Sequence, residues 1–120
     1  VLEHAGLPGD RTEAGLPHWR RGMQALAVLP GVHVKLSEFG LPDAPWDRAG
    51  TVRVVRETLG IFGWQRCMFA SNLPVSGLRV SVAELMLTMA QALRDLDAGA
   101  PDAVWRGNAL RFYRVDPMAR

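Results

Sequence analysis

Polar side chains that can do chemistry stand at three places in the chain, each directly after a short apolar run. The runs read VLEH, VHVKLS and RCMFASN, and they end at His4, at Ser37 and at the pair Ser71-Asn72. An imidazole can bind a metal or polarise a carbonyl group, and hydroxyl and amide groups hydrogen bond to substrates. These polar ends lie about 33 residues apart, a spacing typical of one strand, one helix and two loops.

The segments between the runs have helical periodicity. In the first, Trp19, Met23 and Leu26 fall at i, i+4 and i+7 on one helical face. Pro45 suits the first turn of the second helix. We predict helices over 18–31, 43–63, 78–96 and 101–115, the third being the longest; its buried face would carry Val82, Leu85, Met86, Met89 and Leu93, and the last helix would stack Trp105, Ala109, Phe112 and Tyr113.

Strands that alternate with helices through short connections predict a parallel α/β fold. The middle strand alternates in polarity, because His33, Lys35 and Ser37 share one face. Inward polar groups near a strand's carboxyl end favour a (β/α)8 barrel over a doubly wound sheet. Three units do not close such a barrel, so we interpret residues 1–120 as the C-terminal part of a single barrel domain, with about three βα units and a C-terminal helix.

The composition argues against several classes of partner. Thirteen of the fourteen basic residues are arginines, spread among twelve acids with a net charge of +2, which does not suit a nucleic-acid surface. No apolar run is long enough for a membrane helix, and no signal segment opens the chain. The single cysteine, Cys67, is typical of a reducing compartment. We therefore expect a cytoplasmic protein with a small-molecule substrate and without nucleic-acid or membrane partners; no pattern indicates an oligomeric state.

Four motifs in order carry a family resemblance. They are EHAGLP (3–8), WRRGMQALAVLPGVHVKLSEFG (19–40), RCMFASNLPVSGLR (66–79) and GNALRFYRV (107–115). Together they resemble the C-terminal part of the amidohydrolase-related proteins, a TIM-barrel family that includes 2-pyrone-4,6-dicarboxylate lactonase and L-fuconolactonase. The resemblance covers nearly the whole chain.

The resemblance implies a hydrolase in which water attacks a small lactone or a carboxylated cyclic substrate at the carboxyl ends of the strands. His4 matches the histidine of the family's H-x-G-x-P motif, which faces the metal or the substrate. Asn72 stands where the family's G-S-D-W-P motif has its aspartate general base. An amide does not titrate, so if Asn72 occupies that position it can only orient water or coordinate through its oxygen, and water activation must come from a metal or from another acid or base such as His4.

The candidate site follows from these positions. His4 and Asn72 are the predicted catalytic residues, and Lys35, Ser37 and Ser71 are predicted to contact the substrate. His4 is also the candidate ligand of a divalent metal, zinc or manganese, which the resemblance implies as an optional cofactor of the full-length protein. Glu38 is a further candidate acid.

Three other interpretations stay open. The same scaffold serves metal-dependent decarboxylation in related barrels, and the amide at Asn72 is also consistent with a non-catalytic binding protein. A complete small α/β domain is the third, although a chain that opens within a strand leaves a parallel edge unpaired. On the leading interpretation the 120-residue chain is inactive, because it lacks five strands and the family's first-strand His-x-His pair.

Overall fold

Three chain segments run parallel and form one small sheet. β1 (Val34–Leu36) pairs with β2 (Cys67–Phe69). On the other side of β1, Leu2 forms a single parallel bridge to Val34. The Leu2 amide donates to the His33 carbonyl at 2.7 Å and its carbonyl accepts from the Lys35 amide at 2.9 Å. The predicted strands are present but shorter than the sequence patterns indicated, and the first is reduced to this bridge.

Helices separate and follow the strands. The computed structural model describes residues 1–118, so the last two residues of the predicted 1–120 domain lie outside the described residues. The helices are α1 (Leu16–Ala27), α2 (Arg48–Phe62), α3 (Val82–Leu93), α4 (Ala100–Asp102) and α5 (Asn108–Tyr113), with a π-helical turn at Ala103–Gly107 and 3₁₀ turns at His4–Gly6, Trp64–Arg66 and Val75–Leu78. This order of strands and helices confirms a mixed α/β fold. No helix within residues 1–118 is long and apolar enough to cross a membrane.

Two predictions about helix limits are wrong. Pro45 does not begin the second helix; α2 begins at Arg48, because the Asp47 side chain accepts a hydrogen bond from the Gly50 amide at 2.9 Å and caps the helix there. α3 is not the longest helix either, since it has 12 residues against 15 in α2. α3 begins only after Ser81, whose hydroxyl accepts from the Glu84 amide at 3.2 Å.

The hydrophobic core lies between one face of the sheet and the helices. Val34, Leu36 and Cys67 are completely buried, and they share the face that alternation along two paired strands requires. The helices contribute buried side chains to the same cluster, among them Val54, Val55, Leu59, Leu85, Met89 and Leu93. The predicted buried face of α3 is therefore right for Leu85, Met89 and Leu93 and wrong for Val82 and Met86, which are 49% and 38% exposed.

The opposite face of β1 carries the polar residues and meets the end of the C-terminal helix. The Phe112 ring lies 4.8 Å from the His33 ring. Two residues further along the strand, the Lys35 ammonium lies 5.7 Å from the centre of the Tyr113 ring. The last turn of α5 thus covers the amino-terminal half of this face and leaves Ser37, at the carboxyl end, to the candidate site.

Glu57 joins α1 to α2 through charged hydrogen bonds. Arg20 donates to its two carboxylate oxygens at 2.6 and 2.9 Å, and Arg53 adds a contact at 3.1 Å. These bonds, led by those from Arg20, hold the pKa of Glu57 below the ordinary 4.5. A lowered folded-state pKa stabilises the protein above the unfolded value, and the contribution is lost as the pH falls through the folded value.

We expect Glu57→Gln to lower stability at neutral pH, and the difference from wild type to shrink below pH 4.5 as the pH falls through the folded-state pKa of Glu57. Urea unfolding over a pH series from neutral into acid measures this. Glu13→Gln is the matched control, because Glu13 contacts the same Arg53 at 3.1 Å but is 85% exposed, where ion pairs contribute little. Equal losses for the two variants at pH 7 would contradict the role given to Glu57.

Candidate active site

The carboxyl ends of the three parallel segments lie side by side and bring four polar residues into a row. His4 Nδ1 is 2.8 Å from Ser37 Oγ. Glu38 follows Ser37 directly, and Asn72 Nδ2 donates a hydrogen bond to Glu38 Oε2. We call His4, Ser37, Glu38 and Asn72 the strand-end row. The structure thus places both predicted catalytic residues at the carboxyl end of the sheet, as expected when the strands run parallel.

Three members of the strand-end row have left-handed backbone conformations. The φ angles are 56° at His4, 51° at Glu38 and 51° at Asn72. Asparagine tolerates this region, but for histidine and glutamate it costs on the order of 1 kcal/mol each. Such strain persists where the surrounding structure imposes it, and it concentrates at functional sites. At each strand end the left-handed residue ends the extended backbone of the strand.

The hydrogen bond between His4 and Ser37 fixes the imidazole. Ser37 is 2% exposed, so its hydroxyl is a rigid partner at the carboxyl end of β1. With Nδ1 engaged, Nε2 is the ring nitrogen available to a substrate, a water molecule or a metal.

The other two predicted substrate contacts have protein partners. Lys35 Nζ donates to Glu3 Oε1 at 2.9 Å, and this hydrogen bond is the main reason why the pKa of Lys35 is raised. The Ser71 hydroxyl accepts from the Leu73 amide at 3.4 Å and stabilises the turn after β2. The structure therefore brings His4, Ser37 and Asn72 together, with Lys35 and Ser71 next to them along their strands.

A cavity of about 270 Å³ opens between the three loops that follow the strands. Glu38 lines it together with two arginines, Arg11 and Arg79. The rest of the wall is mainly apolar and is contributed by Leu7, Pro8, Leu41, Pro42, Val75 and Leu78. An apolar wall with a few convergent charged groups is typical of a small-molecule site. We call this space the loop cavity.

Arg11 is a site residue that the sequence did not reveal. Its Nε donates to the Pro8 carbonyl at 3.2 Å and its Nη2 to the Phe39 carbonyl at 2.6 Å. Arg11 thereby ties the loop after the first strand segment to the loop after β1, and partial burial lowers its pKa. No sequence signal identifies such a brace, because its partners are backbone carbonyls.

Cys67 takes no part in the site. Its side chain is completely buried in the core, and its thiol donates to the Gly63 carbonyl at 3.4 Å. Burial raises the pKa of the thiol to about 12, so the thiolate needed for nucleophilic or redox chemistry does not form near neutral pH.

The donor set of the strand-end row does not by itself make a metal centre. No three His, Cys, Asp or Glu side chains cluster anywhere in residues 1–118, whereas a catalytic zinc takes three protein ligands and an open position. The row contains one imidazole, at His4, and one carboxylate, at Glu38, and the latter is hydrogen bonded to Asn72.

Comparison with known proteins identifies the family. The sequence profile of the amidohydrolases matches residues 1–115. The chain belongs to the amidohydrolase family, as its four motifs predicted.

Curated relatives include two lactonases. The chain is 38% identical to L-fucono-1,5-lactonase from Burkholderia multivorans, over 99% of the chain and 44% of that protein. It is 36% identical to L-fucono-1,5-lactonase from Burkholderia ambifaria, over 97% of the chain and 41% of that protein. The chain thus spans less than half the length of these relatives.

Two crystal structures of an amidohydrolase from Burkholderia multivorans match the fold. One contains bound HEPES and superposes with a TM-score of 0.86, and the other contains bound zinc and superposes with a TM-score of 0.85. Both are 33% identical to the chain and are matched over 97% of it and 44% of their own length.

Proposed function

We propose that these residues form the C-terminal part of a (β/α)8 amidohydrolase barrel that hydrolyses a small lactone or a related carboxylated ring compound. The observation that carries the proposal is the strand-end row, because active sites of (β/α)8 enzymes lie at the carboxyl ends of the strands. Family membership and the two lactonase relatives support the reaction class. The same proposal assigns residues 1–120 to one portion of a single barrel domain.

The chemistry of lactone hydrolysis fits the groups in the row. Water adds to the ester carbonyl, negative charge develops on the carbonyl oxygen, and the ring oxygen leaves with a proton. His4, with its ring fixed through Ser37, polarises the carbonyl or transfers a proton through Nε2. Asn72 has no titrating proton and contributes hydrogen bonds that orient the reacting groups.

Substrate contacts come from the residues beside the row. Lys35 binds a substrate carboxylate as a point charge, exchanging its ion pair with Glu3, and the Ser71 hydroxyl binds a ring oxygen. Ser37, predicted as a substrate contact, is 2% exposed and acts through His4 instead.

The zinc in a structural neighbour supports a divalent metal, zinc or manganese, in the complete protein. His4 would be one ligand through Nε2, and the remaining ligands would come from outside these 120 residues, because the described residues do not supply three. The chemistry that a bound divalent metal provides is a lower pKa for water and a polarised carbonyl.

A lactone panel tests the proposal. The complete polypeptide that contains these residues is assayed for release of acid from sugar lactones and from pyrone carboxylates, after chelation and again with zinc or manganese added. We expect ring opening by the complete polypeptide and none by residues 1–120 alone. Hydrolysis of no lactone under any of the conditions would overturn the proposal, and release of carbon dioxide would indicate a decarboxylase instead.

A further inference from the structure

The strand-end row contains one carboxylate, and it does not stand where the family motif has its aspartate. Asn72 occupies that position, and its amide donates directly to the Glu38 carboxylate. A carboxylate accepts a proton from water, whereas an amide cannot. The Asn72 side chain is therefore hydrogen bonded to a carboxylate, the group that an aspartate at this position would supply, and this carboxylate follows the end of the neighbouring strand.

The backbone at Glu38 has a conformation that costs free energy. Its φ of 51° is a conformation that glycine adopts freely and glutamate does not. His4, Glu38 and Asn72 are all left-handed, at the ends of three adjacent strands. A carboxylate kept in this conformation at the loop cavity is the pattern expected of a functional group.

The surroundings of Glu38 suit a proton acceptor near a substrate. Its side chain is half-buried and lines the loop cavity. Arg11 and Arg79 face the same space and supply positive charge, while His4 lies on the neighbouring strand end, bonded to Ser37. Glu3, another carboxylate near a strand end, is committed to Lys35, and that hydrogen bond lowers its pKa.

We propose that Glu38 is the general base of the hydrolysis and that Asn72 is its positioning residue; this rests on the proposed lactonase function. Glu38 takes one proton from water as the water oxygen bonds to the carbonyl carbon and the carbonyl electron pair moves to its oxygen. Collapse of this intermediate re-forms the carbonyl and breaks the bond to the ring oxygen, which receives the proton from Glu38. One lactone and one water give one hydroxy acid, and the carboxylate is regenerated.

The test compares Glu38→Gln, Asn72→Asp and the double variant in the complete polypeptide, using the lactone that the panel identifies. In Glu38→Gln the new side-chain amide still offers an oxygen to the Asn72 amide, so a structural contact survives while the base is lost. We expect Glu38→Gln to lower kcat by about 100- to 10,000-fold with little change in KM. The double variant has a carboxylate at position 72 instead of position 38. We expect its kcat to be at least tenfold higher than that of Glu38→Gln.

The pH profile is the second readout. In wild type, kcat/KM should have an acid limb, because a general base must be unprotonated to accept a proton from water. Glu38→Gln should lack this acid limb. Glu13→Gln, a change at an exposed glutamate that does not line the loop cavity, should leave kcat and the profile unchanged.

Glu38→Gly keeps the proposal testable if the glutamine variant folds poorly. Glycine relieves the left-handed strain, so this variant should melt at or above the wild-type temperature and still lose activity. Activity of Glu38→Gln or Glu38→Gly within threefold of wild type would overturn the inference while the lactonase proposal stands. If wild type itself opens no lactone, the two proposals fall together.

Discussion

His4→Asn in the complete polypeptide is expected to lower kcat by about 100- to 10,000-fold, the range typical for loss of a positioned acid–base group. Asparagine suits the test because it tolerates the left-handed conformation of residue 4, where φ is 56°. The substitution thus removes the imidazole Nε2 and leaves the backbone turn in place. Steady-state kinetics on a turned-over lactone, with a melting curve to check the fold, measures the effect.

His18→Gln is the matched control, since His18 is exposed on α1 and should leave kcat unchanged. Ser37→Ala should have a smaller effect than His4→Asn, on the order of tenfold, because it frees the imidazole without removing it. A His4→Asn variant with wild-type kcat would exclude the imidazole from the chemistry.

The grouping of His4, Ser37 and Asn72 was predictable because it follows from the geometry of parallel strands. His4, Ser37 and Asn72 each end an apolar run, and the carboxyl ends of neighbouring parallel strands lie at the same end of the sheet. Nothing about side-chain contacts was needed for that inference. The structure places these residues in one row, and what each does in the reaction stays a prediction until the variants are measured.

The contact between Glu38 and Asn72 was not predictable from strand periodicity. Alternation assigns Glu38 to the same face as Val34 and Leu36, which is the buried core face. The left-handed turn at Glu38 ends that alternation and sends the side chain over the sheet edge towards Asn72. A conformation that a glutamate adopts only under tertiary constraint leaves no local signal in the sequence.

The buried face of the C-terminal helix was predicted one residue out of place. Trp105, Ala109, Phe112 and Tyr113 follow a 3.6-residue period, but Val104 and Asn108 are the residues buried to 0% and 1% exposure. The π-helical turn at Ala103–Gly107 has a wider hydrogen-bonding interval and interrupts the 3.6-residue period on which that prediction depended. Asn108, a polar residue at the centre of the buried face, also does not fit the apolar 3.6-residue period from which a buried helical face is predicted.

Asn108→Ala is expected to destabilise the protein by about 3 kcal/mol, because it leaves two carbonyls without their buried donor. Asn108 Nδ2 donates to the carbonyls of Trp64 and Cys67, each at 2.7 Å. The Ala70 amide donates to the Leu36 carbonyl on β1, so by alternation the Cys67 carbonyl points away from β1, towards the opposite edge of β2.

Asn108 therefore donates hydrogen bonds to backbone carbonyls at this edge of β2, as a neighbouring strand would. Loss of its amide leaves these carbonyls without donors and also removes a buried side chain from the core. Asn108→Asp tests the loss of the two donated hydrogen bonds with almost no change in side-chain shape. Aspartate keeps the oxygen that accepts from Arg111 and loses both donated bonds. Urea unfolding should show a loss for Asn108→Asp at least as large as for Asn108→Ala, and a small effect for Arg111→Ala, a change at an exposed residue. A stable Asn108→Asp variant would mean that the two carbonyls find other donors and that the edge of β2 does not depend on this amide.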